Sequence, residues 1–335
     1  MGMPTTTLGR TGFEISRVGL GAWAIGGGEW QGGWGSQDDS DSIAAIRHAV
    51  ELGVNWIDTA PAYGLGRAEE VVGLAVRDLP DADRPLLFTK CGLVWEPGAT
   101  TVSNVLSPPA IRKECDDSLR RLGVDVIDLY QVHWPSNDGT PIEESWATMA
   151  ALVDEGKVRF IGSSNFDVET LQRCQAVRRV DTYQPELNLV QRQAAATTIP
   201  WCEEHDVGVV VYSPMGSGLL TGRFSAERVH ALPDDDWRRT APGFQEPALS
   251  RSLRLVEMLG LEAQRLGCSL PELAVAWALA WPGVDGAIVG ARNPGQLDGW
   301  IGAANVGLDD VALSAIAAAV DESGAGSGPA LPGHR

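Results

Sequence analysis

Basic residues are scarce in this 335-residue chain: 26 lysines and arginines stand against 44 aspartates and glutamates, a formal net charge of −18. A surface of that sign repels polyanions, which argues against nucleic acid or an anionic membrane as a main partner. An anionic small molecule would have to be held by a local cluster of cations and backbone N–H groups. Cysteine is sparse as well. Cys91, Cys115, Cys174, Cys202 and Cys268 are odd in number, scattered, and form no C-x-x-C pair. That speaks against a disulfide framework or a zinc site and fits a reducing, cytoplasmic setting. No run of about 18 apolar residues occurs, so no membrane span is predicted. The opening MGMPTTTLGRTGFEIS lacks the basic-then-apolar pattern of a secretory signal. What the chain does hold is 44% hydrophobic residues, enough to bury a sizeable core. The expectation is a soluble cytoplasmic protein, with a homo-oligomer left open.

Short β-rich apolar runs recur at 17–22, 54–58, 86–90, 126–133, 158–162, 181–185, 208–213 and 286–290. Each is followed by a polar or Gly/Pro turn and then a segment of helical length. The helical stretches read most clearly at 39–52, 108–122, 141–155 and 269–280, with prolines suited to a first helical turn in the second and fourth. Strand–helix alternation means parallel strands joined by right-handed crossovers. Eight such units predict an α/β protein with a (β/α)8 TIM barrel. A doubly wound open sheet with a second domain is the rival, and the lack of any linker or composition shift favours the barrel. The excess length falls in a leading β-hairpin over 5–18 and a long loop over 216–247, after the seventh strand. One barrel domain is thus expected over 1–323, and the tail GAGSGPALPGHR reads by its composition as disordered over 324–335.

Catalytic groups of such barrels stand at the C-terminal ends of the strands. Asp58 ends the second run, Lys90 the third and His133 the fourth, and Tyr63 lies in the loop PAYGLG just after Asp58. Taken singly, each has a plainer reading: a helix cap, a surface lysine, a hydrogen-bonded rim histidine, a half-buried aromatic. Together they converge on one rim. A lysine closing an apolar run is costly to bury without a carboxylate partner, and Asp58 is placed to supply one. The chemistry that follows is carbonyl reduction, with Tyr63 giving a proton as hydride arrives from a cofactor. On this reading the Lys90 ammonium lowers the Tyr63 pKa, Asp58 holds Lys90, and His133 orients the carbonyl oxygen. YSPMGSGLLTG and GARNPGQLDGW, after the seventh and eighth runs, supply glycine turns and Arg292 for phosphate groups. The first has the spacing G-x-G-x-x-x-G outside any βαβ unit, so a Rossmann fingerprint is not supported.

These segments, in this order, resemble the aldo-keto reductase superfamily over nearly the whole chain. GVNWIDTAPAYGLGRAEEVVG is similar to its first signature, LLFTKCG to its lysine strand and DLYQVHWP to its histidine strand. IGSSNF, YQPELN, VYSPMGSGLLTG and IVGARNPGQL resemble its later cofactor segments, in the form of the bacterial and potassium-channel β-subunit-like branches. The resemblance implies a catalytic tetrad of Asp58, Tyr63, Lys90 and His133, and NADP(H), or else NAD(H), bound without a Rossmann fold. It implies Ser164, Asn165 and Gln184 on the nicotinamide carboxamide, with Tyr212 stacked on the ring, and Trp23 among the cofactor-binding residues. Gly216, Gly218 and Leu219 would line the pyrophosphate. Gly290, Arg292 and Gln296, with Arg238 in addition, would hold the adenosine end. Two departures stand out: Gly299 and Trp300 where relatives often carry Glu-Asn, and IGSSNF in place of IGVSNF. No metal site is expected.

Candidate pocket loops hold Trp23, Trp30, Trp34, Trp95, Trp134 and Trp237, of which several are expected to pack structurally. Three or more facing the cofactor would suit an apolar or sugar-like carbonyl compound. Two alternatives carry different chemistry: a redox-sensing nicotinamide-binding regulatory subunit with slow turnover, and a Schiff-base aldolase using Lys90. The aldolase needs a desolvated, unpaired lysine, whereas a partner at Asp58 keeps Lys90 protonated.

Overall fold

The computed structural model describes residues 2–28 and 30–333. Eight parallel strands close into a barrel in the order β3 (Val18–Gly21), β4 (Trp56–Asp58), β5 (Leu86–Cys91), β8 (Ile127–Val132), β9 (Val158–Ser164), β10 (Thr182–Gln184), β11 (Gly208–Val211) and β12 (Gly286–Gly290), and β12 pairs back onto β3. Every expected strand is present, several of them a residue or two shorter. The hairpin is there too: β1 (Thr5–Thr7) pairs antiparallel with β2 (Glu14–Ser16). A second antiparallel pair, β6 (Leu93–Val94) with β7 (Ser103–Asn104), decorates the loop after β5.

Side chains alternate along a strand, and the barrel interior turns that alternation into layers. Trp56, Phe88, Leu129, Val210 and Ile288 form an apolar layer, closed from below by Leu8, Phe13 and Ile15 of the hairpin segment. Burying side chains such as Phe88 and Leu129 contributes about 1.5–3 kcal/mol each. Gly19 makes room for this layer, since a Cβ there would lie 2.2 Å from the Trp56 ring. Two residues further along three of these strands come Asp58, Lys90 and Gln131. The layer above the apolar one is therefore polar, and it lies toward the strands' C-terminal ends.

Helices α1 (Asp39–Glu51), α2 (Arg67–Val76), α3 (Pro108–Leu122), α4 (Ile142–Asp154), α5 (Val168–Val177) and α6 (Thr198–Glu204) cover the outside, each following a barrel strand. α1 starts where the Asp38 carboxylate accepts from the N–H groups of Ser40 and Asp41. α3 has proline in its first turn and ends on Gly123 in the left-handed region. The segment after β11 is shorter on loop than its composition implies. It contains α7 (Ala226–His230) and three short 3-10 segments, and Leu219, Val229, Phe244 and Leu249 pack beneath it as a separate small core. α8 (Ala248–Leu266), α9 (Leu270–Leu279), α10 (Pro294–Leu297) and α11 (Asp310–Ser323) complete the shell.

The C-terminal segment differs from the disordered tail that its composition suggests. Residues 324–333 lie against the loop after β10: Ala325 is buried, and Arg192 donates to the carbonyls of Ala325 and Gly328. Ser327 bridges Gln191, and the Trp277 indole donates to Ala330 O. Backbone carbonyls, which composition does not register, hold the segment to a buried arginine. Residues 334 and 335 lie outside the described residues. Among the described residues, no helix is long and apolar enough to cross a membrane.

Candidate active site

Lys90 is fully buried, and its ammonium donates to Asp58 Oδ1 at 2.5 Å, Thr59 O at 2.9 Å and Tyr63 Oη at 3.3 Å. It also lies 5.1 Å from the centre of the Tyr63 ring. The register explains the approach: Asp58 pairs with Phe88, so Lys90 stands one inward step higher on the adjacent strand. Asp58 Oδ2 in turn accepts from Gln184 Nε2 at 2.8 Å and Gln131 Nε2 at 3.3 Å. A buried carboxylate is tolerable when its lone pairs are filled in this way. Gln131 is not among the residues that the sequence marks. It sits inside a strand run rather than at its end, and only its inward phase with Lys90 could have pointed to it.

Tyr63 is carried by the turn after β4. Its carbonyl accepts from Ala68 N as α2 begins, and Gly64, at φ +62°, passes so close to Gly26 that a Cβ would lie 2.2 Å from Gly26 O. No side chain fits that approach, which fixes how the Tyr63 loop meets the loop after β3. His133 N extends the ladder by donating to Cys91 O, and its ring packs edge-on to Tyr63 at 5.6 Å. The four sequence candidates are thus one cluster.

Burial, joined by the Asp58 charge, pushes the Tyr63 pKa well above its ordinary value. This corrects the expected lowering by Lys90: desolvation of the phenolate outweighs the ammonium. Burial pulls Lys90 down while Asp58 opposes the shift. Burial and the Lys90 charge push His133 well below the usual imidazole range, which makes it a neutral ring near pH 7. The resting site holds a protonated tyrosine, a neutral imidazole and a lysine–carboxylate pair.

Above this cluster opens a cavity of about 390 Å³, walled by Trp23, Trp30, Trp134, Trp237, Ser164 and Tyr212 among others. Tyr63, His133, Asn165 and Gln184 also face it. Ser164 Oγ donates to Gln184 O at 2.7 Å, Asn165 Nδ2 donates to His133 O at 3.0 Å, and Tyr212 Oη donates to Asn165 Oδ1 at 2.8 Å. Trp23, Trp34 and Trp237 pack on one another with centroids 5.2–5.8 Å apart, bridging the loop after β3 to the loop after β11. Trp95 does not line the cavity; it lies under the Arg121 guanidinium.

A second hollow, of about 300 Å³, shares Trp23, Ser213 and Ser217 with the first and runs to Gly218, Gly290, Arg292, Gln296 and Trp300. Together they form one elongated groove. Ser217 and Gly218 line it, both at positive φ, whereas Gly216, also at positive φ, lines neither hollow. The buried indole nitrogens of Trp237 and Trp300 have no hydrogen-bond partner, an unmet need that a polar ligand could fill. Leu219 differs from the expected contact, since its side chain is sunk in the small core below the insert. Arg238 borders the groove but holds Asp236 at 2.9 and 2.6 Å. Among the described residues, no cluster of His, Cys, Asp and Glu could hold a metal ion.

A parallel barrel with a polar layer under a rim cavity and an elongated groove defines a barrel enzyme. Its residues 17–321 match the model of the Aldo/keto reductase family. It is 42% identical over 301 residues to "Aldo-keto reductase YhdN" of Bacillus subtilis, covering 88% of this chain and 87% of that one. It is 35% identical over 321 residues to "NADH-specific methylglyoxal reductase" of Escherichia coli, covering 92% and 95%. The solved glycerol dehydrogenase AKR11B4 of Gluconobacter oxydans superposes with a TM-score of 0.86 at 37% identity, over 96% of this chain and 97% of that one. The chain belongs to the aldo-keto reductase family, whose members are oxidoreductases that use nicotinamide cofactors on small carbonyl compounds.

Proposed function

We propose that the protein reduces an aldehyde or ketone to the alcohol by hydride transfer from NADP(H) or NAD(H), with Tyr63 as the proton donor. The observation that carries this reading is the contact of the Lys90 ammonium with Tyr63 Oη, 3.3 Å apart, at the foot of the cavity that Tyr63 and His133 face. When bound, the nicotinamide supplies the hydride to the carbonyl carbon. Tyr63 gives its proton to the carbonyl oxygen as negative charge builds there, so the alkoxide leaves as the alcohol. The phenolate that remains lies beside Lys90, and Asp58 keeps that ammonium charged. His133, neutral, offers an N–H to the same oxygen without competing for the proton.

Asn165, Ser164 and Gln184 suit an amide ligand, because their donors and acceptors already face one another across β9 and β10. Tyr212 suits the face of a ring, and Trp23 and Trp237 close over it. The relatives' names bear on the cofactor and substrate only as a range: one is NADH-specific for methylglyoxal and one is a glycerol dehydrogenase. Lys90 is fully buried and triply bonded, which disfavours the Schiff-base aldolase.

The experiment follows NADH and NADPH absorbance with a panel of aldehydes for the wild type and Tyr63→Phe. A loss of about 10²–10⁴-fold in rate is expected for the variant, the range for a general acid. Unchanged turnover would remove Tyr63 from the mechanism, and covalent trapping of substrate on Lys90 by borohydride would replace hydride transfer with the aldolase.

A further inference from the structure

Tyr63 and Lys90 are carried by different elements, and a contact outside the barrel bears on the 3.3 Å between their polar atoms. Successive residues of a strand face opposite ways, so on β5 the inward Lys90 is preceded by Thr89, which turns toward the helices. There the Thr89 hydroxyl donates to Glu69 Oε1 at 2.5 Å. Glu69 lies in the first turn of α2, the helix that follows the Tyr63 turn. Ala68, the residue before it, donates its N–H to the Tyr63 carbonyl at 3.1 Å. The contacts close a ring: Tyr63 to Ala68, Glu69 to Thr89, and Lys90 back to Tyr63 Oη.

An acid in a first helical turn ordinarily serves the helix dipole, and an exposed carboxylate does that as well as a buried one. The neighbouring Glu70 is exposed and meets that need. Glu69 and Thr89 have no exposed surface. The second oxygen of Glu69 accepts from Arg121 Nε of α3 at 2.6 Å. α3 comes close enough that a Cβ on Gly66 would lie 3.0 Å from Arg121 Cδ, and one on Gly73 would lie 2.7 Å from Leu122 O. A buried ion pair is often no more stabilising than apolar side chains of the same volume, so stability alone does not account for this one.

We propose that Glu69 and Thr89 are positioning residues for the reaction, a clamp that holds the Tyr63 turn and the Lys90 strand where the ammonium meets the phenol oxygen. This rests on the reduction reading, in which Tyr63 gives its proton beside Lys90. Asp58 fixes Lys90 but not the turn that carries Tyr63. The close approach of Gly26 to Gly64 fixes that turn against the loop after β3, not against β5. Glu69 supplies the missing tie, because it belongs to the helix that ends the turn and bonds to the residue beside Lys90. Its charge also favours the Lys90 ammonium, as that of Asp58 does. Misplacing reacting groups by about 1 Å can cost about 10²-fold in rate, so a tie far from the carbonyl still governs the proton transfer.

The test measures single-turnover reduction by the full-length protein loaded with NADH or NADPH, using the aldehyde that the wild type reduces fastest. Single turnovers keep product release from masking the chemical step. Thr89→Val keeps the side-chain shape and removes the hydroxyl, and its rate is expected to fall ~10-fold or more while the cofactor Kd, read from tryptophan fluorescence, stays within ~2-fold. Thr89→Ser keeps the donor and is expected within ~3-fold of the wild-type rate, with Thr89→Cys, a weak donor, between the two. Where the valine protein does not fold, the serine and cysteine variants carry the comparison. A merely structural hydroxyl would lower the melting temperature and leave the rate of the folded protein unchanged. A wild-type rate in Thr89→Val, or in Thr89→Cys where the valine protein does not fold, therefore overturns the proposal. So does a serine variant no faster than the others, or a rate loss matched by an equal loss of cofactor affinity. Wild-type protein that oxidises neither cofactor with any aldehyde overturns the reduction reading and the clamp with it, and shows this before any variant is made.

Discussion

Replacing Asp58 with asparagine removes the charge that lets Lys90 sit in the barrel. The side chain of Lys90 has no exposed surface, and Asp58 is its nearest partner at 2.5 Å. The introduced amide would also set its N–H groups against those of Gln184 and Gln131, both of which now donate to the carboxylate. Breaking one side of a buried pair costs about 3–5 kcal/mol, chiefly through the uncompensated charge left behind. The size of that cost depends on pH in a definite direction. Burial lowers the Lys90 pKa, and Asp58 is the main opposing influence. Without Asp58 the folded-state pKa falls further, so near neutral pH the unfolded chain binds a proton that the native protein does not. Stability of the variant then rises with pH by up to about 1.4 kcal/mol per unit between that folded pKa and the unfolded value of lysine. Urea unfolding of wild type and variant at pH 6, 7, 8 and 9 measures the difference. The expected result is a gap of a few kcal/mol at pH 6 that narrows as pH rises. A gap below about 1 kcal/mol, or one that does not change with pH, would refute a charged, buried Lys90 held by Asp58.

Glu114, buried behind β5 with its Oε2 on Gly92 N and its other oxygen unpartnered, has its pKa pushed up to about 8. A raised carboxyl pKa favours the fold below the unfolded value and loses that advantage as pH climbs through the folded one. Glu114→Gln should therefore flatten the decline in stability between pH 5 and pH 8, and parallel curves in thermal melts would contradict this. Arg121→Ala strands the fully buried Glu69, now paired at 2.6 Å. A loss of about 3 kcal/mol or more in denaturant unfolding is expected, and a loss under about 1 would show that the Thr89 hydroxyl, which donates to Glu69 Oε1 at 2.5 Å, alone satisfies the carboxylate. Gly26→Ala would place a Cβ 2.6 Å from Gly64 N and 2.7 Å from Tyr63 C. Displacing the tyrosine by such a clash should cut kcat by about 10²-fold at unchanged secondary structure.

Much of this is legible in the sequence because parallel strands buried on both faces read as apolar runs, and eight of them bounded by turns admit few folds. The strand-end rule then places Asp58, Lys90 and His133 on one rim, and the register brings them together. Gln131 is not legible in the same way, because nothing local distinguishes an inward glutamine in mid-strand from an outward one. The Tyr63 shift runs opposite to the sequence expectation for a related reason: a list of neighbours records the ammonium but not the water removed around the phenol. The docked C-terminal segment and the bonds from Arg292 to Trp34 O and Ser36 O depend on backbone carbonyls supplied from 133 to 136 and from 256 to 258 positions away. No pattern of side chains within a short window encodes such contacts.

Direct hydride transfer from a nicotinamide to a carbonyl carbon is the step on which the proposed function rests. The most direct measurement is a single turnover with cofactor deuterated at the transferring position of C4 and a neutral aldehyde, the alcohol being analysed by mass spectrometry. One deuterium on the carbinol carbon, with none gained when unlabelled cofactor is used in deuterated water, is the expected result. An alcohol free of label from deuterated cofactor, or no alcohol at all, would contradict it.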